Sequence, residues 1–211
     1  MEVFLAHHWL DITTTVLGLL YIFLELRVSV WMWVVGIVMQ MLGIVLYYQK
    51  GLYADCGMEF YYLAMSAYGL WKWQTTSNSS KDGETSSPAS IKSFFESARE
   101  CRKGLYGLLV FGALWALIYY LLVSLTDSTV PLADSFTTAL SIIGIWALAH
   151  KYLEQWFVWI AVDVVTSALY FYKDIPFKAG LYALSVVIAV FGYINWRRKY
   201  LQALAHHESL S

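Results

Sequence analysis

VSVWMWVVGIVMQMLGIVLYY, residues 28–48, runs for 21 positions without a charged side chain. A helix needs about 20 predominantly apolar residues to cross a hydrocarbon core roughly 30 Å thick. This stretch therefore reads as a membrane-spanning helix, and the chain on either side reads the same way. Working outward, comparable runs lie at 9–26, 54–73, 104–124, 134–150, 152–171 and 177–196, with 134–150 the shortest of them. A β-barrel would show alternating segments of about ten residues, whereas these runs are continuous. The fold class expected is an all-α integral membrane protein with seven transmembrane helices.

Composition agrees. Apolar residues make up 59% of the chain and charged residues 14%, against roughly 25% charged in a soluble domain. No basic cluster lies on a soluble module, so nucleic-acid binding is not expected. Cys56 and Cys101 match no metal or redox spacing. There is no His-Glu-x-x-His, Gly-x-Ser-x-Gly or phosphate loop, so neither catalysis nor a cofactor or metal is called for. The N-terminus is acidic and lacks the basic start of a cleavable signal peptide.

The longest interruption is 74–103, with Thr-Thr-Ser-Asn-Ser-Ser at 75–80 and a Ser/Thr/Gly/Pro-rich stretch at 82–90. It reads as a polar linker loop, whose later part, 92–103, fits either a short interfacial helix or a solvated loop. Counting Lys and Arg by side orients the chain. Lys50, Lys173 and Lys178 fall on the side of the N-terminus, and the other eleven basic residues fall opposite. The linker and the tail 197–211 are therefore expected in the cytoplasm, with the N-terminus outside.

An internal repeat appears when 11–73 is laid over 134–196 at a fixed offset of 123. Asp11, Thr14, Thr15 and Leu17 meet Asp134, Thr137, Thr138 and Leu140, and Trp33 meets Trp156. Leu46, Tyr47 and Lys50 meet Leu169, Tyr170 and Lys173, and Gly69 and Trp73 meet Gly192 and Trp196. Fourteen identities in 63 positions is modest, but the register needs no gap. Three helices reverse the chain, so one extra helix between two such units restores a parallel orientation. The organisation expected is a 1–73 repeat, the 74–103 loop, a linker helix at 104–124 and a 134–196 repeat, a 3+1+3 plan. Transporters built from repeats bind substrate near the bilayer midplane.

Polar groups within the spans mark the candidate site, because an ionisable residue there costs several kcal/mol unless paired or watered. Asp163 lies near the centre of the sixth span and Glu59 within the third. Helical spacing puts Trp156, Trp159, Asp163, Thr166 and Tyr170 on one stripe. The equivalent stripe in the first repeat is Trp33, Gly36, Gln40, Gly43 and Tyr47, and Asp55, Glu59, Tyr62 and Ser66 share a face. The substrate-binding set expected is Trp159, Asp163, Glu59, Gln40, Tyr62, Trp33 and Thr166. Aromatic faces can stack on a flat cationic ring, and carboxylates can neutralise it and accept hydrogen bonds. Trp31, Trp71, Trp73 and Trp196 read instead as interfacial belt residues. Glu25 and Glu154 read as solvated or paired with Arg27 or Lys151, and Asp11 and Asp134 as N-cap or first-turn residues.

Several motifs carry a resemblance. Tyr61-Tyr62-Leu63 through Tyr68-Gly69-Leu70-Trp71-Lys72-Trp73, Lys151-Tyr152-Leu153-Glu154-Gln155-Trp156, and Trp159 through Asp163-Val164-Val165 resemble the PnuC family of bacterial vitamin transporters. The resemblance spans nearly the whole chain. It implies a 3+1+3 arrangement related to the SWEET sugar transporters and a place in the bacterial inner membrane. It also implies facilitated uptake of nicotinamide riboside, an NAD precursor, with cytoplasmic phosphorylation trapping the product. Asp163 and Glu59 stand where some such carriers have an amide. An amide both donates and accepts, while a carboxylate only accepts, which raises a thiamine carrier as the alternative. A proton-coupled symporter and a homo-oligomer are compatible with the sequence. The partners expected are a small cationic vitamin and the lipid bilayer.

Overall fold

With no water in a hydrocarbon core, a spanning backbone must satisfy its N–H and C=O groups internally, and the helix does so within one segment. The computed structural model describes residues 13, 16–49, 53–78, 91–93, 100–125, 130–172 and 176–208. They form α1 (Val16–Leu26), α2 (Trp31–Gln49), α3 (Tyr53–Asn78), α4 (Glu100–Leu125), α5 (Pro131–Ala149), α6 (Gln155–Tyr172) and α7 (Pro176–Glu208). The fold is all-helical. Within α2, α4, α5 and α7 lie segments long and apolar enough to cross a membrane by length and composition. α7 continues past the expected end at 196 to Glu208.

The chain divides into two compact units, Met1–Pro88 and Ala89–Ser211, with the boundary inside the expected linker. In the first unit, Trp33 of α2 is 0% exposed and meets Trp73 of α3 edge-to-face at 5.7 Å and 83°. A Cβ built on Gly69 would fall 2.5 Å from the Trp33 ring, so only glycine lets the helices close over the indole. In the second unit, Trp156 of α6 meets Trp196 of α7 at 5.8 Å and 82°, and a Cβ on Gly192 would fall 2.4 Å from Trp156. Each of these residues lies 123 positions after its counterpart. Trp73 and Trp196, expected at the lipid interface, are 1% and 0% exposed and lie inside the packing. Their position at a helix end misled, because an interfacial Trp and a packed one look alike in sequence. Trp31 and Trp71 are well exposed, as a belt requires.

The turn between α1 and α2 recurs between α5 and α6. Val28 N–H donates to the Glu25 carbonyl at 2.9 Å and Ser29 N–H to Leu24 at 3.0 Å. Lys151 N–H donates to Leu148 and Tyr152 N–H to Ala147, both at 2.9 Å. These are Schellman caps, which place one residue in the left-handed region. Here that residue is Val28 (φ 59°) or Lys151 (φ 58°) rather than glycine.

Between α1 and α2, and again between α5 and α6, an aromatic ring fills the space over a glycine. In the first unit Tyr21 of α1 comes within 3.3 Å of a Cβ built on Gly36 of α2. In the second, Trp159 of α6 comes within 3.3 Å of a Cβ built on Gly144 of α5. The helix that supplies the ring is exchanged, while the contact stays in register.

α4 attaches to the start of α5. Phe111, Trp115 and Phe136 form an aromatic cluster with centroids 5.3 to 5.8 Å apart. The Trp115 indole N–H donates to the Leu132 carbonyl at 3.3 Å and to Ser135 Oγ at 3.1 Å.

Residues 91–93 run extended beside the α5–α6 turn. Lys92 N–H donates to the Lys151 carbonyl at 3.0 Å, Leu153 N–H donates to the Lys92 carbonyl at 2.9 Å, and Ser93 Oγ donates to Glu154 at 2.8 Å. The Lys92–Lys103 stretch is thus docked at its start and helical from Glu100. Glu25 is buried rather than solvated. Asp134 lies in the first turn of α5, as expected, while the cap itself is Val130. Asp11 and the side chain of Asp55 lie outside the described residues.

Candidate functional site

In the first unit, α2 carries Gln40 and Gly43, and α3 carries Glu59 and Tyr62. Glu59 lies directly over Gly43: a Cβ there would fall 2.7 Å from the carboxyl carbon. The missing side chain makes room for the carboxylate between two packed helices. Glu59 and Gln40 are half-buried, as is Tyr62, whose ring meets Tyr61 at 5.6 Å. Gly36 meets Ser66 Oγ as well as Tyr21, and Ser66 is buried. Trp33, expected on the same stripe, has its ring in the α2–α3 packing described above.

In the second unit, Trp159, Asp163 and Thr166 are half-buried on α6. Asp163 is the ninth of eighteen residues in that helix, one turn from Trp159. The Trp159 indole N–H donates to Gln155 Oε1 at 2.7 Å. Tyr170, at the end of the stripe, stacks on Tyr182 of α7 at 5.4 Å and 13°. Tyr182 is the repeat counterpart of Glu59, and Thr166 that of Gly43. One unit therefore sets a carboxylate over a glycine where the other stacks two tyrosines.

In the first unit Glu59 packs against Gly43, one turn from Gln40 along α2, and Tyr62 lies one turn on from Glu59 along α3; in the second, Trp159, Asp163 and Thr166 share one face of α6. The arrangement offers flat rings, hydroxyls and carboxylates in helices otherwise apolar. Groups of these kinds can stack on a flat ring and accept hydrogen bonds from it. Among the described residues no group of three or more His, Cys, Asp or Glu side chains is placed to hold a metal ion. Sequence reading missed Gln155, Gly144 and Tyr21. The available signals were a glutamine one turn before a stripe tryptophan and the crossed Tyr/Gly and Gly/Trp pairs at the repeat offset.

Residues 8–198 match the family described as nicotinamide mononucleotide transporter. The chain is 25% identical over 190 residues to the riboflavin/roseoflavin transporter RibM of Streptomyces davaonensis, covering 89% of this chain and 84% of the relative. It is 23% identical over 216 residues to the nicotinamide riboside transporter PnuC of Escherichia coli, covering 94% and 90%. The crystal structure of a vitamin B3 transporter PnuC shares the fold at a TM-score of 0.71, with 21% identity over 95% of this chain and 86% of that one. With its apolar helices and half-buried polar stripes, the chain belongs to the nicotinamide mononucleotide transporter family, that of PnuC, and is a multi-pass membrane protein of a transporter family.

Proposed function

We propose that this protein carries nicotinamide riboside across a bacterial inner membrane by facilitated diffusion. Its seven helices cross in a 3+1+3 plan, with the N-terminus outside and the linker and C-terminus in the cytoplasm. The repeated Trp/Gly/Trp contact and the repeated cap, both in one register, support the plan. The observation that carries the substrate class is the pair Trp159 and Asp163 on one face near the middle of α6, in a chain of this family. An indole face stacks on a pyridinium ring, and a carboxylate one turn away offsets its charge and accepts hydrogen bonds. Thr166 extends that face.

Two observations favour other vitamins. The acids at 59 and 163 suit the aminopyrimidine and the cation of thiamine, and RibM is a riboflavin/roseoflavin transporter. Calorimetric titration of the purified protein with nicotinamide riboside, thiamine and riboflavin, side by side, separates them. Asp163→Ala is expected to weaken binding of the true substrate by more than about tenfold, or ~1.5 kcal/mol, the scale of a hydrogen bond to a charged group. The double change Glu59→Gln with Asp163→Asn keeps shape and removes charge. It should lower thiamine affinity relative to nicotinamide riboside if the acids read an aminopyrimidine. Unchanged affinity for all three ligands in both variants would reject this site.

A further inference from the structure

Trp159 is held from two directions. Its indole N–H donates to Gln155 Oε1 at 2.7 Å, and Gln155 is 0% exposed. On α5, Gly144 lies under the ring, where a Cβ would come within 3.3 Å of Cε2 and Cζ2 and within 3.2 Å of Val158. A tryptophan has two side-chain torsions. A hydrogen bond from its Nε1 and a backbone wall close to Cε2 and Cζ2 together restrict both.

The first unit lacks this device. At the equivalent positions stand Met32 for Gln155, Gly36 for Trp159 and Tyr21 for Gly144. α2 therefore offers no ring there, and the space over Gly36 is filled by Tyr21 from α1. At this register the stripe helix bears an oriented ring in the second repeat and a glycine in the first.

We propose that Gln155 and Gly144 are positioning residues that set the plane of Trp159, so that its remaining face is pre-oriented toward a flat vitamin ring beside Asp163. The proposal rests on the substrate-site reading above. Gln155 acts through Trp159 and does not touch the substrate. A ring already held in its bound orientation loses little conformational freedom on stacking, so releasing it lowers affinity by roughly three- to tenfold.

Gln155→Met is the informative change, because Met32 occupies the equivalent position and is itself 0% exposed. Affinities for nicotinamide riboside, thiamine and riboflavin are measured by calorimetry on the full-length protein, its Gln155→Met and Trp159→Phe variants, and the double variant. For the ligand bound by the wild type, each single change is expected to weaken binding. The double variant should bind no more weakly than Trp159→Phe, since two residues acting through one contact are non-additive. In protein labelled with 5-fluorotryptophan, the fluorine resonance lost in Trp159→Phe should broaden or split in Gln155→Met while the other resonances hold. Gly144→Ala, which displaces the ring from the α5 side, should shift the same resonance and weaken the same ligand. That variant serves as the test if Gln155→Met fails to fold.

Additive losses in the double variant would overturn the proposal, as would full affinity in Gln155→Met or an unmoved Trp159 resonance. If Trp159→Phe leaves every affinity unchanged, or none of the three vitamins binds, the site reading itself is wrong and the positioning role falls with it. A Trp159 effect without a Gln155 effect rejects the positioning role alone.

Discussion

At the residue scale, the close approaches are made by glycines facing tryptophans. Gly69 and Gly192 meet Trp33 and Trp156 so closely that an added methyl must displace a buried ring. Overpacking of this kind costs about 1–3 kcal/mol. Gly69→Ala and Gly192→Ala are therefore expected to lower Tm in detergent by similar amounts. Gly112→Ala on α4, where a Cβ meets nothing within 4 Å, should be neutral or slightly stabilising, since alanine is the better helix former. A drop for Gly112→Ala equal to the others would mean the effect is not packing. These glycines were visible in the sequence as repeat matches, but their role was not. The same is true of Trp33 and Trp73, because two residues 40 positions apart meet only once their helices pack.

At the element scale, the two caps carry an unusual demand. An L-residue in the left-handed region costs roughly 1–2 kcal/mol, yet both units keep a side chain there and bury it. At Lys151 burial, with the nearby charge of Lys92 as the lesser cause, pushes the ammonium pKa down from 10.5 to about 8. Below pH 8 folded and unfolded chains both hold the proton, and the penalty is constant. Between pH 8 and 10.5 the unfolded chain holds a proton that the folded one has released, so this group makes stability rise with pH. Lys151→Met is expected to raise Tm at pH 7, with an advantage over wild type that shrinks as pH climbs from 8 to 10. Thermal unfolding of both proteins across that range checks it, and a constant difference would remove Lys151 titration as the cause. No sequence pattern announced this turn. Caps of this type are recognised by glycine, and neither cap has one.

At the scale of the whole molecule, the proposed 3+1+3 plan and the charge asymmetry make a topological prediction. Cysteines introduced at Ser79 in the linker and Ser209 in the tail, both outside the described residues, should resist a membrane-impermeant maleimide in intact cells. They should react after permeabilisation. Ready labelling of both in intact cells would reverse the orientation.

The sequence by itself determined the all-helical membrane fold, because apolar runs of this length have one way to satisfy their backbones in a hydrocarbon core. It also determined the 123-residue register, because identical residues at a constant offset can be counted without coordinates. The polar stripe on α6 was equally readable, since helical spacing is local geometry. Tertiary packing alone decided that Trp73 and Trp196 are buried, that Glu59 lies over Gly43 and that Trp159 rests on Gly144. Each of these depends on how closely two helices approach. That distance is set jointly by side chains far apart in the chain, so no local pattern encodes it.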